Sequence, residues 1–322
     1  MIKFEITENE AERRLDKFLK SYLKNASLSH IYKLIRKDVK VNGRREGPEK
    51  LLNTGDELII YISEEDEKAF RSGRVAQKQK RQFGIAYEDK NLLVVEKPFG
   101  MLTHGTSLEK KKTLTNQVLA YLIEQGDFDR RERAFSPSPV NRLDRNTTGL
   151  VIFGKNSKTL KNFNLMMRER NRIKKYYVTI VRGELAGSLF LKGRLEKDSE
   201  DNKVKIGTTG KEIETIVRVI DKANGFSLVE SELVTGRTHQ IRAHLSHAGY
   251  PVIGDVKYGD SRLNRKLSRE YGLTTQLLHA ERLYFDKMTP DFEYLNGIEI
   301  KAAVPPEFER IKTGLFTGGI KL

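Results

Sequence analysis

A highly charged stretch, residues 64–83, divides this sequence into two parts and so constrains how the chain can fold. It reads EEDEKAFRSGRVAQKQKRQF, an acidic run followed by six basic residues with almost no apolar side chains. A segment of this composition cannot bury enough apolar surface to offset the entropy lost on ordering. We therefore predict a flexible charged linker between a front domain, residues 1–63, and a larger body, residues 84–322.

The front domain has the apolar spacing of two helices followed by a hairpin. Apolar residues recur every three or four positions in both helices, and Ser27 or Ser29 can cap the second helix. The dipeptide Asn42-Gly43 then predicts a type I′ turn between short strands. Together these signals predict a small α/β domain. The residues predicted to be buried on its helices are Leu15, Phe18, Leu19, Tyr22, Leu23, Ile31, Leu34 and Ile35.

Basic residues outnumber acidic ones, and much of the excess lies in the front domain. The chain has 59 Lys plus Arg against 44 Asp plus Glu, a net charge of +15. Lys33, Arg36, Lys37 and Lys40 follow helical spacing opposite the apolar face of the second helix. One charged helix face is often only solvated, but here the basic residues continue over both helices and the hairpin. The pattern favours a polyanionic partner.

The body alternates short β-branched runs with few long helices. This pattern favours an α+β fold with a mainly antiparallel mixed sheet over a doubly wound parallel sheet. No apolar run is long enough to span a membrane, and the first residues lack the apolar segment of a signal peptide. We therefore expect a cytoplasmic protein.

Several kinds of chemistry find no support in the sequence. The chain has no cysteine, which excludes disulfides, iron–sulfur clusters and cysteine-ligated zinc. It has no G-x-G-x-x-G motif for a nucleotide cofactor. His239, His244 and His247 lie close in sequence, but no HExxH or carboxylate pattern accompanies them, so we expect no metal.

Two polar segments carry residue types that catalysis needs. In NRLDRNTTG, residues 141–149, Asp144 lies between two arginines just before an apolar strand. An aspartate in this setting more often caps a turn and pairs with a neighbouring arginine, so the local pattern leaves both interpretations open. The second segment, TGRTHQIRAHL, residues 235–245, places many polar groups around one apolar residue. That arrangement suits the wall of a site better than an ordinary strand or helix.

Five motifs of the body together resemble the RluA-type pseudouridine synthases. In chain order they are EKPFGMLTHG, RLDRNTTGL, KKYYVTIVRG, LVTGRTHQIRAHL and LLHAERLYF. The front domain resembles the S4 RNA-binding domain through RLDKFL, SLSHIYKLIRKDVKVNGR and GDEL. With YGDSRLNRKL, the chain is most similar to the branch of the large-subunit ribosomal synthase C. It departs from the family at Asn141, where His is common, and at Thr148 and Thr179, where Ser and Ala are frequent.

The resemblance implies an enzyme that isomerises uridines in RNA to pseudouridine, with 23S ribosomal RNA as the expected substrate. The N1–C1′ bond breaks, uracil turns over within the site, and C5 bonds to C1′, without metal or cofactor. We expect a monomer that binds structured RNA. Two alternatives stay open: a non-catalytic RNA-binding or ribosome-assembly factor on the same fold, and a glycosidase that releases uracil.

The resemblance also implies catalytic roles for three residues. Asp144 would be the essential carboxylate, acting as a nucleophile toward the ribose or as a base that removes a ribose proton. Arg237 would pair with Asp144 and keep it ionised, although it could form an ordinary surface ion pair. Tyr177 would stack on the uracil and help with proton transfer at C5, although a tyrosine in a strand is more often part of the core.

Further residues are implied in RNA binding. Ile241 would close the other side of the base. Arg142 would fill the gap that a flipped base leaves, although it could simply pair with a phosphate. In the front domain, the residues expected to contact RNA are Arg14, Lys33, Arg36 and Lys37.

Overall fold

The structure, a computed structural model, describes residues 1–71, 80–106, 109, 111–128, 135–197 and 203–318. Its strands are β1 (Ile2–Glu5), β2 (Arg13–Arg14), β3 (Val39–Val41), β4 (Leu51–Leu52), β5 (Glu57–Ile60), β6 (Gly84–Glu88), β7 (Leu92–Lys97), β8 (Ser138–Pro139), β9 (Thr148–Gly154), β10 (Ile173–Arg182), β11 (Leu189–Lys197), β12 (Val204–Gly207), β13 (Lys211–Ala223), β14 (Phe226–Leu233), β15 (Leu278–Phe285) and β16 (Glu299–Lys301). Its α-helices are α1 (Leu15–Tyr22), α2 (Leu28–Lys37), α3 (Glu64–Arg71), α4 (Leu114–Gln125), α5 (Ser157–Arg168), α6 (Gln240–His247), α7 (Ser261–Tyr271) and α8 (Pro306–Phe316), and a 3₁₀ helix covers Pro290–Leu295.

The front domain packs α1 and α2 with a three-stranded antiparallel sheet of order β1-β5-β3. All of the apolar helix residues predicted to be buried are buried. Ser27 caps α2, where its hydroxyl accepts a hydrogen bond from the His30 N–H at 3.2 Å. Asn42 and Gly43 have φ angles of 50° and 77°, as a type I′ turn requires. The helix pair, its buried faces and the turn are confirmed.

The prediction of a flexible linker is wrong for its first part, because residues 64–71 form helix α3 on the front domain. The Tyr22 hydroxyl donates a hydrogen bond to Glu67 Oε1 at 2.5 Å, and the Arg71 guanidinium lies 4.7 Å from the centre of the Tyr22 ring. Side chains four positions apart share one helix face, so this face finds partners although the segment is charged. Residues 72–79 of the predicted linker lie outside the described residues.

One mixed sheet forms the centre of the body and has eleven strands, counted over the described residues. Nine of them follow the order β12-β11-β13-β14-β10-β15-β9-β7-β6, while β16 pairs with β15 and β8 with β9. Neighbouring strands are antiparallel except β9 and β15, which are parallel. The predicted α+β fold with a mainly antiparallel sheet is confirmed.

Helices pack on both faces of this sheet. On β10, Tyr177 belongs to the apolar core that also holds residues of α4 and α6, whereas Val178 and Ile180 belong to the core with α7 and α8. Three loops approach one another on the Tyr177 side: the loop after β7, the loop before β9 and the loop after β14. The two polar segments of the sequence therefore meet at one place.

Helix α5 connects the front domain with this place. At its first turn the Ser157 N–H donates to Asn9 Oδ1 at 3.1 Å, and Lys161 Nζ donates to the Ala11 carbonyl at 3.1 Å. Its last turn lies beside the loops just described. Across the part of the chain that the structure describes, no helix has the length and apolar character needed to cross a bilayer.

Candidate active site

A cavity of about 960 Å³ opens where the three loops meet. Four of the predicted site residues line it: Arg142, Asp144, Tyr177 and Arg237. Ile241 lines an adjoining recess that also includes Asp144 and Tyr177. The volume is at the upper end of what small-molecule sites have, roughly 300–1,000 Å³. The structure thus brings together all five body residues that the sequence singled out.

Buried polar contacts hold the Asp144 loop in place. The Thr103 hydroxyl donates to the Leu143 carbonyl at 3.0 Å and accepts from the Leu143 N–H at 3.2 Å. Lys97 Nζ donates to the Arg145 carbonyl at 2.9 Å. The Asp144 side chain keeps 26% of its exposure. Its carboxylate is therefore fixed by the loop and still accessible from the cavity.

Strand β9, which follows this loop, approaches β15 very closely. Gly149 has a φ angle of 108°, and a Cβ atom there would lie 2.1 Å from the Ala280 carbonyl oxygen, so only glycine fits. Next to it, the Thr148 hydroxyl and His279 Nδ1 are 2.7 Å apart. His279 Nε2 lies 3.3 Å from the Ala302 carbonyl, which can only accept. Nδ1 therefore accepts the hydrogen bond from Thr148, and the start of β9 is anchored.

The cation bound to Asp144 is Arg242, so the prediction that Arg237 forms this ion pair is wrong. Arg242 Nη1 donates to Asp144 Oδ2 at 2.9 Å, while Nε and Nη2 bind the two oxygens of Asp255 at 2.6 and 2.8 Å. Burial lowers the pKa of Arg242, but hydrogen bonds and charge from Asp255 and Asp144 outweigh burial and raise it. Helix α6 begins at Gln240 and buries Arg242, whereas Arg237 precedes the helix and stays exposed on the cavity wall.

Tyr177 presents an aromatic ring on the cavity wall close to Asp144. The side chain is 5% exposed and shares its apolar core with Ile241. Burial, aided by the negative charge of Asp144, raises the pKa of Tyr177. Its hydroxyl therefore stays protonated at neutral pH, and the residue offers a stacking face and a hydrogen-bond donor.

A second polar residue, His239, also approaches Asp144. Its Nε2 lies 3.9 Å from Asp144 Oδ2, and its Nδ1 lies 3.0 Å from the Tyr258 hydroxyl. That hydroxyl accepts a hydrogen bond from the Val204 N–H at 2.9 Å, which leaves the phenolic hydrogen for His239 Nδ1. Burial lowers the pKa of His239, although Asp144 opposes the shift. A neutral ring with its Nε2–H directed toward Asp144 satisfies all of these contacts.

Comparison with known proteins now places the chain. The family described as RNA pseudouridylate synthase matches residues 91–247. "Ribosomal large subunit pseudouridine synthase C" of Vibrio vulnificus (strain CMCP6) is 32% identical over 97% of this chain and 96% of its own length. The protein of the same name from Escherichia coli (strain K12) is 34% identical over 87% of each chain. The chain belongs to the RNA pseudouridine synthase family. It is an RluA-type synthase, similar to the synthase C relatives, and converts uridine in RNA to pseudouridine.

A solved structure has the same fold as this synthase. "Human RNA Pseudouridylate Synthase Domain Containing 4" superimposes with a TM-score of 0.55, at 23% identity, over 72% of this chain and 92% of the human one. The expected α+β architecture of a pseudouridine synthase is confirmed.

Two of the three departures from the family, Asn141 and Thr179, form hydrogen bonds to the backbone, and the third, Thr148, pairs with His279. The Asn141 amide accepts from the Ile152 N–H at 2.9 Å and donates to the Leu150 carbonyl at 3.2 Å, so it extends the pairing beside β9. The Thr179 hydroxyl donates to the Leu277 carbonyl at 2.6 Å. These polar groups therefore have hydrogen-bond partners within the fold.

The front-domain residues expected to contact RNA are all on the surface. Lys33, Arg36 and Lys37 are exposed on α2. Arg14 is also exposed, but its Nε and Nη2 bind both oxygens of the buried Asp16 at 3.1 and 2.9 Å. The three α2 residues thus form an open basic face, whereas Arg14 also has a structural partner.

Sequence reasoning missed four residues around Asp144: Arg242, Asp255, His239 and Lys97. Arg242 and His239 lie in the motif that was singled out, but spacing alone could not tell which arginine becomes buried. Lys97 lies in EKPFGMLTHG, and its place at the end of an apolar strand was the available signal. Within the described ranges, no group of three or more His, Asp or Glu residues could hold a metal ion. The absence of any metal or cofactor stays a prediction.

Lys97 is 1% exposed and connects three backbone carbonyls. Its Nζ donates to Pro98 at 3.0 Å and Met101 at 2.8 Å, besides the Arg145 carbonyl of the Asp144 loop. Burial lowers the pKa of Lys97 to about 7; the charge of Asp144 opposes this shift and that of Arg145 adds to it. Lys97 is therefore a positioning residue for the loop that carries Asp144.

We expect Lys97→Met to destabilise the protein by about 1–3 kcal/mol, because three carbonyls around this buried side chain lose their hydrogen-bond donor. We also expect kcat to fall about tenfold or more with little change in KM. Without Lys97 the Asp144 loop is misplaced for the reaction, whereas other residues bind the RNA. Urea unfolding and tritium release from 5-³H-uridine RNA measure the two effects. Lys155→Met is the matched control, because this lysine, whose side chain is 8% exposed, pairs with Glu88 and Asp127 away from the loop. Equal kcat values for the two variants would contradict the positioning role.

Proposed function

We propose that this synthase isomerises specific uridines of 23S ribosomal RNA, with Asp144 as the essential carboxylate. The observation that carries the proposal is the ion pair of Asp144 with Arg242 at the wall of a nucleotide-sized cavity, beside Tyr177. The ribosomal substrate is supported by the name of the two relatives that share nearly the whole length of the chain.

Asp144 would act on the ribose as the N1–C1′ bond breaks. A carboxylate stabilises the positive charge that develops on a sugar during glycosidic cleavage, and it does so as a nucleophile at C1′ or as a base for a ribose proton. Both roles need an ionised carboxylate. The guanidinium of Arg242 orients this carboxylate through a charge-assisted hydrogen bond, while Asp255 holds the guanidinium in orientation.

Tyr177 and Ile241 would hold the base while it detaches and turns over. Aromatic stacking holds a planar uracil but leaves it free to rotate in its plane, because stacking, unlike a hydrogen bond, does not select one orientation of the base. The raised pKa of Tyr177 keeps its hydroxyl protonated as a hydrogen-bond donor, so a free phenolate is not the base at neutral pH. The C5 proton would then leave through another group or through water.

The target uridine must leave its helical stack to reach this cavity. Base flipping costs a few kcal/mol, and Arg142, which is exposed at the cavity wall, would stack in the vacated position. The front domain, as an S4-like RNA-binding module, would add phosphate contacts through Lys33, Arg36 and Lys37.

Replacing Lys33, Arg36 and Lys37 together by alanine tests that module in the full-length protein. We expect RNA affinity at physiological salt to fall about tenfold or more, and the slope of log K against log salt to decrease by about 2, because each phosphate contact contributes about 0.7–0.9. A filter-binding titration at several salt concentrations measures both. The matched control removes Arg262, Arg265 and Arg269, exposed on α7. An equal effect of the two triple variants would show that the front domain has no special part in binding.

The reaction itself is tested with a 23S transcript that contains 5-³H-uridine. We expect tritium release and the appearance of pseudouridine on nucleoside chromatography. Free uracil in solution would identify a glycosidase instead, and RNA binding without tritium release would identify a non-catalytic RNA-binding or assembly factor. We also propose a monomer in the cytoplasm, where ribosomal RNA is made in bacteria such as those of the two relatives; light scattering tests the monomeric state.

A further inference from the structure

Lys175 is a buried charge that the proposed mechanism leaves without a role. It lies two residues before Tyr177 on β10, is 7% exposed, and lines the same cavity. Residues two apart on a strand share a face and are separated by about 6.5–7 Å along it. An ammonium group therefore lies on the cavity wall next to the ring that is expected to hold the base.

The surroundings of Lys175 do not satisfy its charge. Within the described residues, the polar contact of its Nζ is Met167 Sδ at 3.7 Å, and a thioether is a weak acceptor. Glu232 acts on it through charge alone and is itself paired with Arg218 at 3.3 Å. Burial lowers the pKa of Lys175 to about 8, against the influence of Glu232. The fold thus keeps a desolvated cation whose oxygen partner is missing.

The contrast with Lys97 shows that this shortage is not general in the protein. Lys97 is equally buried, yet its ammonium donates to three carbonyl oxygens. A buried lysine with a purely structural role has its hydrogen-bond acceptors within the protein. Lys175 does not, so its acceptor must come from whatever enters the cavity.

The chemistry of that acceptor follows from the neighbours of Lys175. The cavity wall beside it is formed by Asn164, Met167 and Arg168 of α5 and by Arg170 just after the helix. Both arginines are exposed and add positive charge. Lys175 and the two arginines together favour a ligand group with a full negative charge. A backbone phosphate has such a charge, and a uracil carbonyl does not.

We propose that Lys175, together with Arg168 and Arg170, forms a subsite for one backbone phosphate of the RNA next to the target uridine. The inference rests on the proposed function, because it assumes an RNA chain in the cavity. It assigns a phosphate contact to the last turn of α5 and the adjoining Lys175, at the other end of the helix from its contacts with the front domain. This contact would fix where the RNA strand passes through the site.

The test compares Lys175→Met with Lys174→Met. Lys174 is the adjacent lysine on β10, and it lies on the other side of the strand with its Nζ 5.6 Å from the centre of the Tyr284 ring. Both variants remove the same charge by the same substitution. We expect Lys175→Met to weaken binding of the 23S transcript about tenfold, the effect of one charge-assisted contact, and to lower the salt slope by about 0.7–0.9. Lys174→Met should change neither. Equal effects of the two variants would overturn the proposal.

Stability gives a second readout that a structural role would not produce. A lysine with a folded-state pKa of about 8 binds its proton less tightly than in the unfolded chain, so its burial destabilises the protein below pH 8 and this penalty fades as the pH rises toward 10.5. We expect Lys175→Met to unfold at a higher temperature than the wild type at pH 7, by about 2–4 °C or more, with a smaller difference at pH 9. Decreased stability at pH 7 would mean that Lys175 holds the fold, and would contradict the proposal.

Ethylation interference identifies the phosphate. Transcripts treated with ethylnitrosourea carry random neutral phosphotriesters, and RNA bound by the inactive Asp144→Asn protein is separated from unbound RNA. We expect interference at phosphates near one uridine, and the loss of one of these positions when Lys175→Met is added. An unchanged pattern would show that Lys175 binds another group. If the wild type releases no tritium from the same transcript, the proposed function fails independently of this result.

Discussion

Asp144→Asn is expected to abolish tritium release from 5-³H-uridine RNA, with kcat lowered by about a thousandfold or more, while RNA affinity stays close to that of the wild type. The amide keeps the shape of the side chain but supplies neither the negative charge nor the nucleophilic oxygen that glycosidic cleavage needs. Binding is expected to survive because the proposed phosphate contacts lie elsewhere. Single-turnover tritium assays and filter binding measure the two properties.

A matched carboxylate elsewhere controls for this substitution. Asp260 caps α7 through its hydrogen bonds to the N–H groups of Arg262 and Leu263, and asparagine caps helices about as well as aspartate. Asp260→Asn should therefore leave activity intact. Undiminished tritium release from Asp144→Asn would refute the assignment of the essential carboxylate.

Substitution of Arg242 by lysine or methionine is expected to have the second largest effect on kcat. Arg242 is 4% exposed and binds two carboxylates through three separate N–H groups. A lysine has one ammonium and cannot reproduce this fork, so Arg242→Lys should lower kcat about a hundredfold by releasing Asp144. Arg242→Met should also lower the free energy of unfolding by about 3–5 kcal/mol, because it leaves the buried carboxylate of Asp255 without its positive counter-charge.

Arg237 is the matched control, since it belongs to the same motif and lines the same cavity. Arg237→Lys and Arg237→Met should leave stability almost unchanged and reduce kcat only slightly, because the side chain is exposed and is not bound to Asp144 in the structure. Urea unfolding and the tritium assay compare the four variants. Larger losses at Arg237 than at Arg242 would contradict the geometry described above.

Local features were predictable where neighbouring residues decide them. The buried faces of α1 and α2 follow from apolar periodicity, and the turn at Asn42-Gly43 follows from the backbone freedom of those two residues. The linker prediction failed for residues 64–71 because composition averages over all faces of a helix. It could not show that Glu67 and Arg71 would share one face that contacts Tyr22.

The site was predictable as a set of residues but not as a set of contacts. Asp144 and Arg242 are 98 positions apart in the chain, so their pairing depends on the parallel approach of β9 to β15 and on where α6 begins. The motif contains two arginines, and only the start of the helix decides which one is buried. The same limit applies to Lys174 and Lys175, because a strand directs one into the cavity and the other away from it.

Whether this protein modifies 23S ribosomal RNA through Asp144 is tested most directly by a map of pseudouridines in ribosomal RNA from cells with and without this gene. The proposed function predicts that one or more 23S pseudouridines disappear when the gene is deleted, return with the wild-type gene, and do not return with the Asp144→Asn variant. An identical map in all four strains, or restoration by Asp144→Asn, would contradict it.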